Sequence, residues 1–364
     1  MRNDDFKPEG KLRSGWTTGA CATAAAKTAV RGYLTGGFEQ KVTIELPRGE
    51  TPTFILENQS LGEGEAMASV IKDAGDDPDV THGAEIVVTV HPGPKGSGVT
   101  FQAGEGVGTV TLPGLPVGVG EPAINPAPRQ MIREAVEGVA LELGAAPDFI
   151  VTIAIPGGEA LAQKTMNPRL GIKGGLSVLG TTGIVKPYSC SAWIHAIHSG
   201  VDVARAAGVT HVAAATGKTS EAAIKELAGL DDIALTHLGD FAVGVLKYLR
   251  SHPIDKLTLA GGFAKMCKLA QGHMDLHSAR SQLDFEFLAA ALGELGADEA
   301  TQAAARTATT ALGVLQIAEE NAPALADLIA FKARNKAQDV LSDQIELAVS
   351  IFDRAGKLIG QGPK

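Results

Sequence analysis

The strongest constraint on the fold is an alternation in the second half, where short apolar β-forming runs each precede a helical segment. LSVLG is followed by SAWIHAIHSGVDVARAAG, a helix that Ser189 is placed to cap. HVAAATG is followed by TSEAAIKELAG, DIALTHLG by DFAVGVLKYLRSH, and KLTLAGG by FAKMCKLAQG. Parallel strands need long crossovers, and helices usually supply them. The spacing therefore predicts a three-layer α/β domain with a largely parallel sheet. Ala-rich helical segments run from Ser278 to Arg334, and IELAVSIFD and KLIGQG predict a closing strand pair around Arg354–Gly356.

The first half has another rhythm. Thr17 and Thr18 are placed to cap a helix through ACATAAAKTAVRGYL, which Gly36 and Gly37 would stop. KVTIELP, PTFILE, AMASVIK, AEIVVTV, GVTFQA and VGTVTL follow, punctuated by Gly, Pro and Asp. They predict a mixed or antiparallel sheet. Proline-rich GEPAINPAPR leads into an expected helix from Gln130 to Leu143, and Phe149–Pro156 is apolar enough for a central strand. No internal repeat is visible. The expectation is two domains: an α+β domain over 1–160 with a mixed sheet and helices, and an α/β domain over 161–364.

A chain of 364 residues, 45% hydrophobic and 20% charged, can bury two cores. Its net charge of −9 and aromatic content of 4% argue against a nucleic-acid partner. A polyanionic small ligand would need a local Lys/Arg cluster. Cys21, Cys190 and Cys267 are too scattered for a disulfide framework. The opening MRNDDFKPEG is acidic where a secretory leader is apolar, and no apolar run is long enough to span a bilayer. Cytoplasmic location, with no membrane partner, is the expectation.

Familiar nucleotide motifs fail. Gly217–Thr219 (GKT) ends like a phosphate loop, but Val212 stands where the other glycine is required. Gly118-Val-Gly120-Glu-Pro-Ala123 has dinucleotide spacing, yet Pro122 and NPAP are unfit to open the necessary helix. His195 and His198, or Cys267, His273 and His277, lack the paired ligand set of a closed zinc site. Asp73, Asp76, Asp77 and Asp79 miss the EF-hand spacing and suit either a solvated Asx-turn cluster or a ligand-binding loop. No protein-bound metal is expected. The long segment Lys164–Ser189 is different. Its glycines permit close backbone approach, Asn167, Thr181 and Thr182 offer polar contacts, and Lys164, Arg169, Lys173 and Lys186 concentrate positive charge. WTTGACATAAAK opens a helix with small residues on every face, whose exposed N–H groups would attract an anion.

Six segments then carry a family likeness: LRSGWTTGACATAAAKTA, KDAGDDPDVT, GEPAINPAPRQMI, KTMNPRLGIKGGLSVLGTTGIVKPYS, HLGDF and AGGFAKMCKLAQG. In order and over nearly the whole chain, they resemble the CbiD family, the cobalt-precorrin-5B C1-methyltransferases of cobalamin biosynthesis. Trp16, Cys190, Ser191 and Leu276 depart from the expected pattern, so no role for Cys190 follows. The resemblance implies methyl transfer from S-adenosylmethionine to C1 of a ring-contracted corrinoid, on a two-domain fold unlike the other tetrapyrrole methylases.

It also implies site residues. Lys164, Asn167, Arg169, Lys173 and Lys186 would meet the substrate's carboxylate arms, with Arg169 offering a planar fork. Thr17, Thr18, Gly19, Asp76, Asp77, Gly180, Thr181, Thr182, Gly183, Gly261 and Gly262 would line the cofactor site. The sulfonium is already activated, so no nucleophile or triad is required. His237 and Asp240 are candidates only to tune charge beside the macrocycle. A non-catalytic corrinoid or tetrapyrrole carrier is the rival reading, and an α/β kinase or ligase a weaker one. Whether the substrate holds cobalt, which loop holds which ligand, and whether the chain forms a homo-oligomer stay open.

Overall fold

Helix α1 (Thr18–Thr35) organises the first of two units in the computed structural model, which describes Gly10 and residues 12–341 and 343–362. Ala20, Ala22, Ala24, Ala25, Ala26 and Ala29 are all fully buried. Small side chains all round let neighbours approach closely. At Gly32 an added Cβ would lie 2.1 Å from the Phe38 ring. Both predicted ends hold: the Thr17 side chain accepts from the Ala20 N–H (3.2 Å), and Gly36 closes the helix at φ 77°.

The sheet beside α1 takes the order β4-β5-β6-β9-β7. Its strands are β4 (Gln59–Gly62), β5 (Glu65–Ile71), β6 (Glu85–Pro92), β7 (Val99–Ala103) and β9 (Phe149–Ala154). Only the β7–β9 pair is parallel, so the sheet is mixed as expected, with Phe149–Ala154 inside it. Ile86, Val88 and Val90 alternate into the core, the period of two that identified the run. Helix α2 (Pro126–Glu142) packs on α1 and starts before the predicted Gln130. Asn125 takes the cap position and a proline sits in the first turn, where its missing N–H costs nothing. A hairpin of β2 (Lys41–Thr43) and β3 (Thr53–Ile55) stands apart from the sheet.

Two short ladders complete this unit. Strand β1 (Gly15–Trp16) pairs with β11 (Ile184–Val185), and β8 (Thr109–Val110) pairs with β10 (Ile172–Lys173). A short helix α3 (Gly158–Ala162) precedes β10. The ladders fold residues 164–189 onto the first half, and the division between units falls between Ser189 and Cys190 rather than near 160. LSVLG is accordingly not a sheet strand of the α/β unit. Its Val178 makes an isolated bridge to Ile124.

The second unit bears out the alternation otherwise. Helix α4 (Cys190–Ala206) leads to β12 (His211–Ala215), α5 (Lys218–Ala228), β13 (Leu235–His237), α6 (Ala242–Ser251), β14 (Lys256–Gly262) and α7 (Phe263–Ala270). Then come α8 (Phe285–Glu294), α9 (Glu299–Arg306), α10 (Ala311–Ile317), α11 (Ala322–Gln338), β15 (Glu346–Phe352) and β16 (Leu358–Gln361). Strand order is β13-β12-β14-β15-β16, parallel except for β16. Val212 and Ala214 face a large core with α4, α6, α7 and α11, while Ala213 and Ala215 face a small one with Ile224 of α5. Among the described residues no helix is long and apolar enough to cross a membrane.

Candidate functional site

The topology singles out one edge of the second unit. From β12 the chain passes through α5 on one face to β13, then through α6 on the other face to β14. The strand order therefore reverses between β12 and β14, and ligands of open α/β sheets bind in the crevice outside the carboxyl ends at such a point. Thr216 and Gly217 end one side and Gly261 and Gly262 the other, with the Thr216 N–H on the Ala260 carbonyl (2.8 Å). A Cβ on Gly261 would meet Met266 Cε at 2.5 Å and Thr216 Oγ1 at 2.8 Å, whereas Gly217 and Gly262 face open space. Gly217 and Gly262 cap α5 and α7 without side-chain hydrogen bonds. The two helix N-termini thus present backbone N–H groups beside the crevice.

Charged side chains gather at this edge. Lys265 of α7 donates to the Thr216 carbonyl (3.1 Å) and lies 3.1 Å from the Asp240 carboxylate. His237 ends β13 with Nδ1 3.5 Å from Glu221 Oε2, and its ring meets that of Trp193 in an edge-to-face contact, centroids 5.5 Å apart. Glu221, in the first turn of α5, is only 7% exposed. Lys268 is 8% exposed and donates to the Leu276 carbonyl (3.1 Å). Burial lowers its pKa, against the pull of Asp240. The Leu276 N–H returns to the Asp240 carbonyl (2.8 Å), tying the segment after α7 to the turn after β13. His237, Asp240, Gly261 and Gly262 are therefore neighbours in one edge. Glu221, Lys265, Thr216 and Trp193 escaped the sequence reading. The available signal was GKTSE, a strand-to-helix turn whose Glu221 falls one helical turn after Gly217.

A second cluster lies in the first unit. The Thr17 N–H donates to the Gly183 carbonyl (2.9 Å) and the Gly19 N–H to the Leu179 carbonyl (3.0 Å). A Cβ on Gly180, at φ 129°, would stand 2.3 Å from the Thr17 side chain. Thr17, Thr18, Gly19, Gly180 and Gly183 do meet, but as a packed seam. Thr17 and Thr18 are buried, so the α1 N-terminus is not the exposed anion site expected from WTTGACATAAAK. Its N–H groups at Gly19 and Ala20 are satisfied by the chain itself. Thr181 is exposed, and Thr182 Oγ1 lies 3.3 Å from the Ile184 N–H.

The acidic stretch is stitched to the same seam. Arg13 grips Asp73 through both terminal guanidinium nitrogens (2.5 and 2.8 Å). That bond, helped by the Gly75 N–H, holds the Asp73 carboxyl down at about 2. Asp76 accepts the Arg13 N–H (2.6 Å) and Asp77 the Tyr188 N–H (2.9 Å). Asp79 accepts the Thr81 N–H (2.8 Å) and pairs with Lys72, which also contacts Thr81 and is 2% exposed. Burial pushes the Asp79 carboxyl up, but Lys72 and Thr81 bring it below its ordinary value. All four carboxylates accept backbone N–H groups, two in Asx-turns at Asp73 and Asp79.

The basic segment does not act as one loop. Lys164 and Lys173 are exposed around the β8–β10 ladder and Arg169 is half-buried between them, while Lys186 follows β11 beside the acidic stretch. Asn167 is buried, donating to the Gly175 carbonyl (3.2 Å) and accepting from Ser177 (3.4 Å). It holds the segment in shape. Among the described residues no group of three or more His, Cys, Asp and Glu side chains is placed to hold a metal ion.

Comparison with known proteins extends these observations. Residues 5–187 match the family model CbiD, and residues 275–363 match the model of the CbiD C-terminal domain. The chain belongs to the CbiD family. Its CbiD relatives include a cobalt-precorrin-5B C(1)-methyltransferase of Paramagnetospirillum magneticum, 57% identical over 97% of this chain and 98% of that protein. One of the same name from Brucella anthropi is 54% identical over 99% of this chain and all of that protein. The crystal structure of a cobalamin biosynthesis protein (cbiD) from Archaeoglobus fulgidus is 29% identical, covering 75% of this chain and 84% of that one, with a TM-score of 0.41.

Proposed function

We propose that the chain transfers a methyl group from S-adenosylmethionine to C1 of precorrin-5B, cobalt-bound or metal-free, in corrin-ring biosynthesis in the cytoplasm. The observation that carries this is end-to-end similarity, at 54–57% identity, to proteins named for that reaction. When bound, S-adenosylmethionine supplies a methyl already activated by sulfonium charge. The chain's own part is alignment and the exclusion of water.

The crevice at the β12–β14 switch fits that part. Open space at Gly217 and Gly262 admits a ligand against the backbone, and the uncapped N-termini of α5 and α7 suit a carboxylate such as that of the methionine moiety. Lys164, Arg169, Lys173 and Lys186 are our candidates for the macrocycle's acidic arms, as exposed or half-buried cations in an acidic chain. We read Thr17, Gly19, Gly180, Gly183, Asp76 and Asp77 as the frame that holds this surface.

The test is incubation with labelled S-adenosylmethionine and each form of precorrin-5B, followed by mass analysis. One added methyl is expected on one form, and S-adenosylhomocysteine should bind in calorimetry without added metal. Corrinoid binding with neither methyl gain nor S-adenosylhomocysteine binding would leave a carrier and overturn the transferase.

A further inference from the structure

We propose that Glu221 and His237 form a proton-accepting pair at the switch-point edge, with Glu221 positioning the imidazole whose Nε2 takes the proton released on methyl transfer. This rests on the methyltransferase reading above. As the carbon–methyl bond forms from a π electron pair of the macrocycle, the methyl–sulfur pair returns to sulfur. The positive charge of the sulfonium thereby passes to the macrocycle. Loss of a proton from the methylated macrocycle to a base restores its charge, and the balance needs no other reactant.

The geometry assigns that base to His237. Glu221 Oε2 stands 3.5 Å from Nδ1, an electrostatic contact rather than a hydrogen bond, and its charge favours the proton on Nδ1, leaving Nε2 as the accepting nitrogen. Nε2 has no partner among the described residues, and the side chain keeps 25% of its exposure. The Glu221 side chain is only 10% exposed, so its field on the imidazolium is weakly screened. Trp193 meets the ring in an edge-to-face contact, and a Cβ on Gly239 would lie 3.2 Å from the indole nitrogen. The imidazole is thus held on two sides.

Several other ionisable groups of the packed elements already have partners. Asp240 and Lys265 bind each other (3.1 Å). Helix α4, which packs on β13, carries His195 and His198. His198 stacks on Tyr248 (3.8 Å), whose hydroxyl donates to Asp202. On β12, His211 bonds Thr258 (2.8 Å) at the opposite end of the strand. On α5, Lys225 pairs with Asp232.

Two readouts test the pair. In protein labelled with ¹⁵N-histidine, and without any ligand, the His237 signal (identified by its loss in His237→Asn) should report the Nδ1–H tautomer. Glu221→Gln should shift it toward a tautomer mixture. In steady-state methyl transfer, removing the carboxylate leaves the imidazole unoriented, so kcat should fall while KM for the macrocycle stays near the parent value. The plateau of the pH profile should fall by about tenfold or more, and His237→Asn should lose about a hundredfold with the acid limb abolished. Glu221→Asp should recover part of both effects, which a merely structural role would not produce. Active wild type, with kcat unchanged in Glu221→Gln and the acid limb retained in His237→Asn, would overturn the pair alone. A wild-type chain that methylates neither precorrin-5B form would overturn the function and the pair with it. Should Glu221→Gln not fold, His237→Asn decides: a retained acid limb there rejects the base.

Discussion

At the scale of single residues, Lys72 best separates structure from function in the first unit. Its ammonium is buried and bound by Asp79 and Thr81, closing an acidic stretch that composition alone would offer as a cation or ligand loop. A buried ion pair adds little net stability once desolvation is counted, but removing one partner leaves the other carboxylate without its counter-charge. Lys72→Met should therefore lower stability by about 3 kcal/mol, read by urea denaturation, while S-adenosylhomocysteine affinity in the folded fraction stays near the parent value. A variant as stable as the parent would mean that the Asp79 carboxylate is adequately solvated without Lys72. These contacts pair residues at short and long separation, and a run of aspartates in the sequence does not say which partners meet it.

At the scale of elements, the turn from β14 into α7 carries two glycines with opposite duties. Gly261 has no room for a methyl group, because Met266 and Thr216 already fill it. Gly262 has open space and an extended backbone, φ −74° and ψ 155°, that any residue accepts. Gly261→Ala should destabilise by about 1–3 kcal/mol through overpacking. Gly262→Ala should leave the melting temperature near that of the parent but weaken S-adenosylhomocysteine binding by about tenfold, a difference of about 1.4 kcal/mol by calorimetry. Unchanged affinity in the second variant would move the cofactor away from this crevice. The AGGFAKMCKLAQG segment was legible as a strand, a glycine turn and a helix. Its neighbour Thr216 was not, because that contact joins strands separated in sequence by α5, β13 and α6.

At the scale of the whole molecule, the chain's organisation turns on residues 164–189. Strands β10 and β11 complete ladders with β8 and β1, so a fragment ending at Ala160 loses both, while one ending at Ser189 keeps them. The shorter fragment should show little cooperative melting by circular dichroism, and the longer one a single sharp transition. Equal melting of the two would show that the ladders add nothing to the unit.

The sequence alone determined the α/β alternation, the caps of α1, the mixed first sheet and the family, because each is written in local periodicity, turn chemistry or long motif strings. It also placed His237, Asp240, Gly261 and Gly262 at ends of elements, where sites are built. Only the tertiary structure decided where the units divide, since strands of two residues such as β10 and β11 carry no alternation to read. It alone brought Glu221 to His237 and Lys265 to Asp240, and it showed Thr17, Gly19 and Asn167 bound into packing by the chain's own hydrogen bonds. Strand order and burial are long-range outcomes of packing, and a residue's chemistry depends on which neighbours that packing leaves it.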